Sequence, residues 1–179
     1  LEHISRAVGH QNLFVDAIQT VNKNQKQRFA QKIVDKLGRP IEGATIAVWG
    51  LAFKADTDDI RESAAIDVMT CLLERGAHVR ATDPKAMENM KQLFKDQVEW
   101  FPDPVSAAAG ADAVALLTDW PQYSTLPFRK IAATMNQPII FDGRNCLHRD
   151  LMRETGFQYY PVGRPCIENA LRLKHRAGE

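Results

Sequence analysis

A polar loop with clustered charges carries the side chains best suited to chemistry. It follows the apolar run 45–49, begins at Gly50 and continues to about residue 63. Lys54 and Arg61 are cations that can hold a phosphate or carboxylate, and backbone N–H groups at the start of the next helix can assist them. The same loop holds four acidic residues, so its charges can instead pair with one another.

Two glycine-rich phosphate-binding patterns are missing from this loop. It contains neither G-x-G-x-x-G nor G-x-x-x-x-G-K-[ST], so a backbone cradle of those kinds is not expected. A phosphate bound here would depend on Lys54, Arg61 and helix-start N–H groups.

Four groups of side chains follow predicted strands, and a doubly wound sheet brings strand ends of this kind to one edge. The groups are Phe53/Lys54, Asp83/Pro84, Thr118/Asp119/Trp120 and Asp142/Arg144. In the strand order 3-2-1-4-5-6, Lys54 after the first strand and Arg144 after the fifth can border one crevice. The fork of donors on arginine and the point charge of lysine together suit a diphosphate.

Most of these side chains also have a structural interpretation. Asp83 precedes a proline and is typical of a turn, although an acid after the second strand can hold a ribose hydroxyl in dinucleotide-binding units. Trp120 can cover an edge of the sheet, and Asp142 can hold the turn that follows it. Cys146 is interpreted as a packing residue, because no histidine or asparagine is placed to form a catalytic dyad with it.

The elements that must position these groups alternate between strand and helix. Apolar runs predict strands at 45–49, 78–82, 98–101, 113–117, 138–141 and 157–161. Helical patterns lie between them at 64–75, 85–95, 105–109, 128–135 and 147–155. This alternation predicts an α/β fold with a doubly wound, mainly parallel six-stranded sheet and helices on both faces. A short basic helix or tail is expected at 166–176.

One long helix, predicted at residues 12–37, precedes the sheet and ends before Gly38. At 1.5 Å per residue it is a rod of roughly 37 Å, longer than a domain of this size needs. Asn22 and Gln25 lie on or beside its apolar seam, where buried amides can fix register. We expect the helix to mediate a two-fold dimer along that seam. Its positions are Phe14, Ala17, Ile18, Val21, Gln25, Phe29, Ile33 and Leu37.

Composition excludes several classes of function. The 179 residues predict one domain with an appendage, and the net charge of +1 offers no field for collecting nucleic acid. No apolar run approaches the ~20 residues of a membrane span. Three cysteines without metal-binding or redox spacing suggest no metal site and a reducing cytoplasm. The chain begins at Leu1 rather than Met, which suits a fragment of a longer protein.

The charged loop closely resembles the signature of the nucleotide-sugar dehydrogenases, with the UDP-glucose 6-dehydrogenases as the nearest branch. The matching residues are Gly50-Leu51-Ala52-Phe53-Lys54, Thr57-Asp58-Asp59 and Arg61-Glu62-Ser63. Four shorter stretches are similar to the same family in the same order: Val21-Asn22 with Gln25; Thr82-Asp83-Pro84; Gly110-Ala111-Asp112-Ala113 with Thr118-Asp119-Trp120; and Asp142-Gly143-Arg144-Asn145.

The resemblance implies a division of the chain. Residues 1–38 would be the end of the family's central helical region, on which its subunits dimerise. Residues 39–179 would be a Rossmann-like UDP-sugar-binding domain with a C-terminal tail. An N-terminal NAD-binding domain, the catalytic cysteine and the general-base lysine would lie upstream of Leu1.

The resemblance also implies roles for individual residues. Phe53, Lys54 and Arg144 match residues that contact the UDP-sugar, and Arg61 matches an arginine that reaches NAD on the N-terminal domain. In the whole enzyme, two NAD-dependent oxidations would turn the sugar's 6-hydroxymethyl group into a carboxylate for polysaccharide biosynthesis. This chain would bind the nucleotide without oxidising the sugar.

Two other functions remain open from the sequence. The chain can be a free-standing nucleotide-binding or regulatory module without a catalytic partner. It can also be an unrelated Rossmann-like dehydrogenase that binds NAD itself, although the missing G-x-G-x-x-G pattern weighs against this.

Overall fold

The computed structural model describes residues 13–168. The first ten residues, interpreted as the segment just after the family's cysteine motif, lie outside this range, as does most of the predicted tail. Within the described range no helix is long and apolar enough to cross a membrane. No cluster of metal-ligating side chains was found among the same residues.

Six parallel strands form one sheet in the order β3-β2-β1-β4-β5-β6. This confirms the predicted doubly wound order. The two central strands, β1 and β4, are almost wholly buried, which explains why they read as continuous apolar runs. The strands are β1 Thr45–Trp49, β2 His78–Thr82, β3 Val98–Trp100, β4 Ala113–Leu116, β5 Ile139–Asp142 and β6 Gln158–Pro161.

Helices connect the successive strands and flank the sheet. They are α1 Leu13–Lys36, α2 Ala64–Glu74, α3 Met87–Phe94, α4 Pro104–Ala108, α5 Phe128–Thr134 and α6 Arg149–Glu154. Because right-handed crossovers run outward from β1 and from β4 in opposite directions, the order 3-2-1-4-5-6 covers both faces. Each strand and helix predicted between residues 12 and 161 is present, with bounds that differ by no more than two residues.

Helix α1 divides into two halves with different surroundings. Phe29, Ile33 and Leu37 at and beyond its second half are buried in the same apolar core as the sheet. Phe14 and Val21 in its first half remain 75% and 56% exposed. The predicted seam therefore faces the chain's own core along its second half, and only its first half is open to a partner.

Candidate functional site

The carboxyl edge of the sheet brings Arg144 against the loop after β1. One Nη2–H of Arg144 donates to the carbonyl oxygen of Phe53 at 2.6 Å, and its Nε–H donates to the carbonyl oxygen of Leu117 at 2.9 Å. The guanidinium thus joins the loops that follow β1, β4 and β5 at the point where the strand order reverses. The structure therefore brings together the segment with Phe53 and Lys54 and the arginine predicted to share a crevice with it.

Gly50 allows the chain to leave β1 in this direction. Its φ angle is +86°, and a Cβ atom placed on it would lie 2.5 Å from the Cβ of Thr118 and 2.6 Å from the Thr118 nitrogen. Only glycine tolerates both the left-handed backbone and the close approach. The first residue of the loop is therefore fixed by the neighbouring strand end.

Leu51 and Ala52 are held by buried side chains from neighbouring elements. Asp83 Oδ2 accepts both of their N–H groups, at 2.6 and 3.1 Å. Their carbonyl oxygens accept from the hydroxyls of Ser63 and Thr118, each at 2.6 Å. Ser63 also caps α2, because its Oγ accepts from the backbone N–H two residues later.

Asp83 is buried and has no acceptor site left for a ligand. Besides the two loop amides, it accepts from Trp120 Nε1 at 3.0 Å and from the N–H groups of Lys85 and Ala86 at 2.8 Å. A carboxylate offers about four lone-pair sites, and five donors already surround this one. The turn interpretation is confirmed, and the alternative of a ribose ligand is wrong. Trp120 is buried at the carboxyl edge, where its indole reaches from the end of β4 to Asp83 after β2.

The outer part of the loop is folded by its own residues. The N–H of Phe53 donates to the carbonyl oxygen of Asp59 at 2.8 Å, and the hydroxyl of Thr57 accepts from the N–H of Asp59. The Arg61 guanidinium donates to both carboxylate oxygens of Asp59 and lowers the pKa of that carboxyl from 3.8 to about 2. Charges of this loop therefore do pair with each other in part.

The side chains of this loop that reach solvent include Phe53, Lys54 and Arg61, together with the acids Asp56, Asp58 and Glu62. Phe53 is 47% exposed and Lys54 is exposed beside it. The Arg61 side chain is 87% exposed even with Asp59 bound to it. Phe53, Lys54 and Arg61 can therefore meet a ligand or another domain, whereas Gly50, Asp59 and Ser63 of the signature shape the backbone.

Asp142 and Cys146 support the turn after β5. Asp142 is buried and accepts from the N–H groups of Arg144 and Leu147 and from the Tyr159 hydroxyl. Burial, with Asp142 nearby, raises the pKa of Cys146 to about 12, so its thiol stays protonated at neutral pH. Asp142 thus holds the turn, and Cys146 is not an activated nucleophile.

A cavity of about 400 Å³ lies between α1 and the carboxyl edge, with Arg144 and Gly143 on one side and Phe29 on the other. Three further cations from α1 line it, and the sequence analysis did not single them out: Lys26, Arg28 and Lys32. Their signal was the spacing of Lys26, Phe29 and Lys32 by three, which places them on one helical face. Two of these cations are already partnered, because Lys26 pairs with Asp67 at 2.8 Å and Lys32 donates to the carbonyl oxygen of Pro161 at 2.6 Å.

Comparisons with known proteins identify the family of this chain. A sequence model of the UDP-glucose/GDP-mannose dehydrogenase family, UDP binding domain, matches residues 47–149. UDP-glucose 6-dehydrogenase TuaD of Bacillus subtilis is 34% identical over 167 residues, which are 93% of this chain and 36% of TuaD. A UDP-glucose 6-dehydrogenase of Rhizobium meliloti is 39% identical over 151 residues, 84% of this chain and 34% of its own length.

A solved structure shares both fold and sequence. The UDP-glucose dehydrogenase from the archaeon Pyrobaculum islandicum superimposes with a TM-score of 0.73 and 32% identity, over 89% of this chain and 34% of that one. The chain spans about a third of the length of these relatives.

The family match covers more than half of the chain and includes the loop, the buried anchors and Arg144. The hypothesis of an unrelated dehydrogenase is therefore wrong. This chain belongs to the UDP-glucose/GDP-mannose dehydrogenase family and carries the UDP-binding domain of that family.

Proposed function

We propose that the carboxyl edge of this sheet binds the UDP part of a UDP-sugar through Phe53, Lys54 and Arg144. The observation that carries the proposal is the bond from Arg144 to the Phe53 carbonyl, which draws an arginine and a lysine to one side of the switch point. Ligands of open α/β sheets bind at such points. A lysine and an arginine on adjoining loops there suit a diphosphate.

Each of the three residues offers a different kind of contact. The half-exposed ring of Phe53 presents an apolar face to a base or sugar. Lys54 supplies an exposed point charge. Arg144 uses two of its five N–H donors on the carbonyls of Phe53 and Leu117, which leaves three for phosphate oxygens.

In the whole enzyme we infer NAD-dependent oxidation of UDP-glucose to UDP-glucuronate, a precursor for polysaccharide biosynthesis. NAD bound to an N-terminal domain would accept the hydride. Arg61 would contact that NAD, because its side chain extends into solvent from the loop. We assign no catalytic residue to this chain. The relatives are about three times longer, which leaves room for the cysteine and the cofactor domain elsewhere.

Calorimetry of the chain with UDP, UDP-glucose, GDP-mannose and NAD tests the binding proposal. We expect UDP and UDP-glucose to bind, with weaker binding of GDP-mannose and none of NAD. Binding of NAD alone, or equal binding of all nucleotides, would contradict the assignment. It would favour the free-standing nucleotide-binding module.

We further propose that the chain by itself does not oxidise UDP-glucose. The absorbance of NADH at 340 nm should not rise when the pure chain is mixed with NAD and UDP-glucose. Turnover that disappears in Cys146→Ser would show that Cys146 is a nucleophile after all. Turnover that survives the substitution would locate the chemistry elsewhere in this chain.

We propose a homodimer through the first half of α1, within the end of the central region at residues 1–38. The exposed Phe14, Ile18 and Val21 fall on one helical stripe, and a second copy would cover them. Val21→Asp should shift the protein to monomer in sedimentation, whereas the off-stripe control Gln27→Asp should not. A wild-type monomer at high concentration would refute the dimer.

Two further assignments belong to the same proposal. We retain residues 39–179 as the UDP-sugar-binding domain with its tail. The three thiols Cys71, Cys146 and Cys166 suit a reducing cytoplasm. Fractionation of cells that produce the protein tests the location.

A further inference from the structure

Three consecutive loop residues, Leu51, Ala52 and Phe53, have all their backbone polar groups paired although they belong to no helix or strand. The N–H groups of the first two donate to Asp83, and their carbonyls accept from Ser63 and Thr118. The N–H and carbonyl of Phe53 are bonded to Asp59 and Arg144. A loop backbone satisfied in this way has little freedom to move.

The anchoring side chains are themselves fixed. Asp83, Ser63 and Thr118 are no more than 3% exposed, and they come from the ends of β2 and β4 and from the start of α2. Asp83 also holds the Trp120 indole, which ties the loop after β4 into the same network. Neighbouring strand ends thus set one conformation for the segment that leads to Phe53 and Lys54.

We propose that Asp83 and Thr118 are positioning residues for nucleotide binding, which they promote without touching the ligand. This inference rests on the proposed binding of UDP by Phe53 and Lys54. A ligand that meets an ordered segment does not have to order it on binding. Freeing one backbone residue that the ligand must then reorder corresponds to about a 5- to 30-fold loss of affinity.

A matched buried aspartate lies at the opposite edge of the sheet. Asp112 is as buried as Asp83 and accepts the N–H of Thr45 at 2.8 Å and a guanidinium N–H of Arg39 at 3.1 Å. Asp112→Asn therefore perturbs a comparable buried network far from the loop. It separates loss of stability from loss of positioning.

The experiment compares Asp83→Asn, Thr118→Val and Thr118→Ser with Asp112→Asn in two measurements. Valine keeps the shape of threonine without its hydroxyl, and serine keeps the hydroxyl. Calorimetry gives the affinity for UDP, and NMR-detected hydrogen exchange gives the opening rate of the amides of residues 51–53. If Asp83→Asn does not fold, the comparison of Thr118→Val with Thr118→Ser is sufficient to test the positioning role.

We expect Asp83→Asn and Thr118→Val to weaken UDP binding at least fivefold and to speed exchange at residues 51–53 at least tenfold. Thr118→Ser and Asp112→Asn should leave both near wild type, even where Asp112→Asn lowers the melting temperature. Unchanged exchange in Thr118→Val would overturn the positioning role, as would faster exchange with unchanged affinity. Failure of the wild-type chain to bind UDP would refute the proposed function, while the exchange rates would still decide whether the anchors hold the loop.

Discussion

Replacement of single cations by alanine separates the two roles assigned to this edge. Lys54→Ala removes one exposed point charge that the proposal places on the diphosphate. A hydrogen bond to a charged group contributes about 1.5–3 kcal/mol, so the dissociation constant for UDP should rise about 10- to 150-fold. The loop itself should keep its conformation, because no anchoring bond to the Lys54 side chain is found among the described residues.

Arg144→Ala should have an effect at the upper end of the same range. It removes a phosphate contact and also the two bonds that hold the carbonyls of Phe53 and Leu117. We expect a loss of about 3 kcal/mol, or roughly 150-fold. Arg144→Lys should recover only part of it, because an ammonium cannot reproduce the fork that spans two loops.

Arg61→Ala should leave the affinity of this chain for UDP within about twofold of wild type. Its side chain is 87% exposed and pairs with Asp59 within the described residues. An exposed pair of this kind contributes little to stability. In the full-length enzyme the same substitution should raise the KM for NAD. The two classes of cation thus differ in which ligand they affect.

Calorimetric titration with UDP under one set of salt conditions provides the assay, and Lys91→Ala serves as control. Lys91 lies on α3 and pairs with Glu88 of the same helix. If Arg61→Ala weakens UDP binding as much as Lys54→Ala does, the division of roles is refuted. The loop would then be a single phosphate clamp, and the free-standing nucleotide-binding module would become the better explanation.

Three further results are expected. Gly50→Ala should lower the free energy of unfolding in urea by more than Gly156→Ala, which carries only the left-handed cost of about 1–2 kcal/mol because its added Cβ meets nothing within 4 Å. NMR titration of Asp59 should give a pKa of about 2, and this pKa should return toward 3.8 in Arg61→Ala. Because folding lowers the pKa of Asp59, its pair with Arg61 stabilises the protein above about pH 4. That stabilisation is lost as the pH falls through about 2. Cys146, with its pKa raised to about 12, should react with iodoacetamide at pH 8 far more slowly than free cysteine, and equal rates would contradict the buried thiol.

The fold could be predicted because each strand is a short apolar run followed by a helical pattern. β1 and β4 are buried on both faces, so their sequences are continuously apolar. Such a run predicts a strand at the centre of the sheet. The predicted strand order by itself places Lys54 and Arg144 at one edge. Local pattern and general topology were enough for that step.

The sequence could not identify which partner each polar or apolar side chain would find. Asp83 before a proline predicts only the turn that it forms with the next residues of the chain. Its three remaining hydrogen-bond donors lie 31 to 37 positions away in the sequence, where no local pattern points to them. The apolar seam of α1 likewise has one period throughout, although Phe29 is buried and Val21 is exposed. Periodicity reports a face of a helix and not what covers it.

Several residues of the loop signature therefore serve to hold the loop in one conformation rather than to contact a ligand. Gly50 allows the left-handed exit from β1, the Asp59 carboxylate accepts the N–H of Arg61, and the Ser63 hydroxyl donates to the Leu51 carbonyl. The side chains of Phe53 and Lys54 instead face solvent, where a ligand can reach them. A substitution in the first group should change both amide exchange at residues 51–53 and UDP affinity.

A substitution in the second group should change affinity alone. Lys54→Ala should weaken UDP binding while the exchange rates at residues 51–53 stay at wild-type values in the unliganded protein, because the buried anchors remain in place. If exchange accelerates together with the loss of binding, then Lys54 helps to order the loop. The distinction between scaffold and contact residues within the signature would then fail.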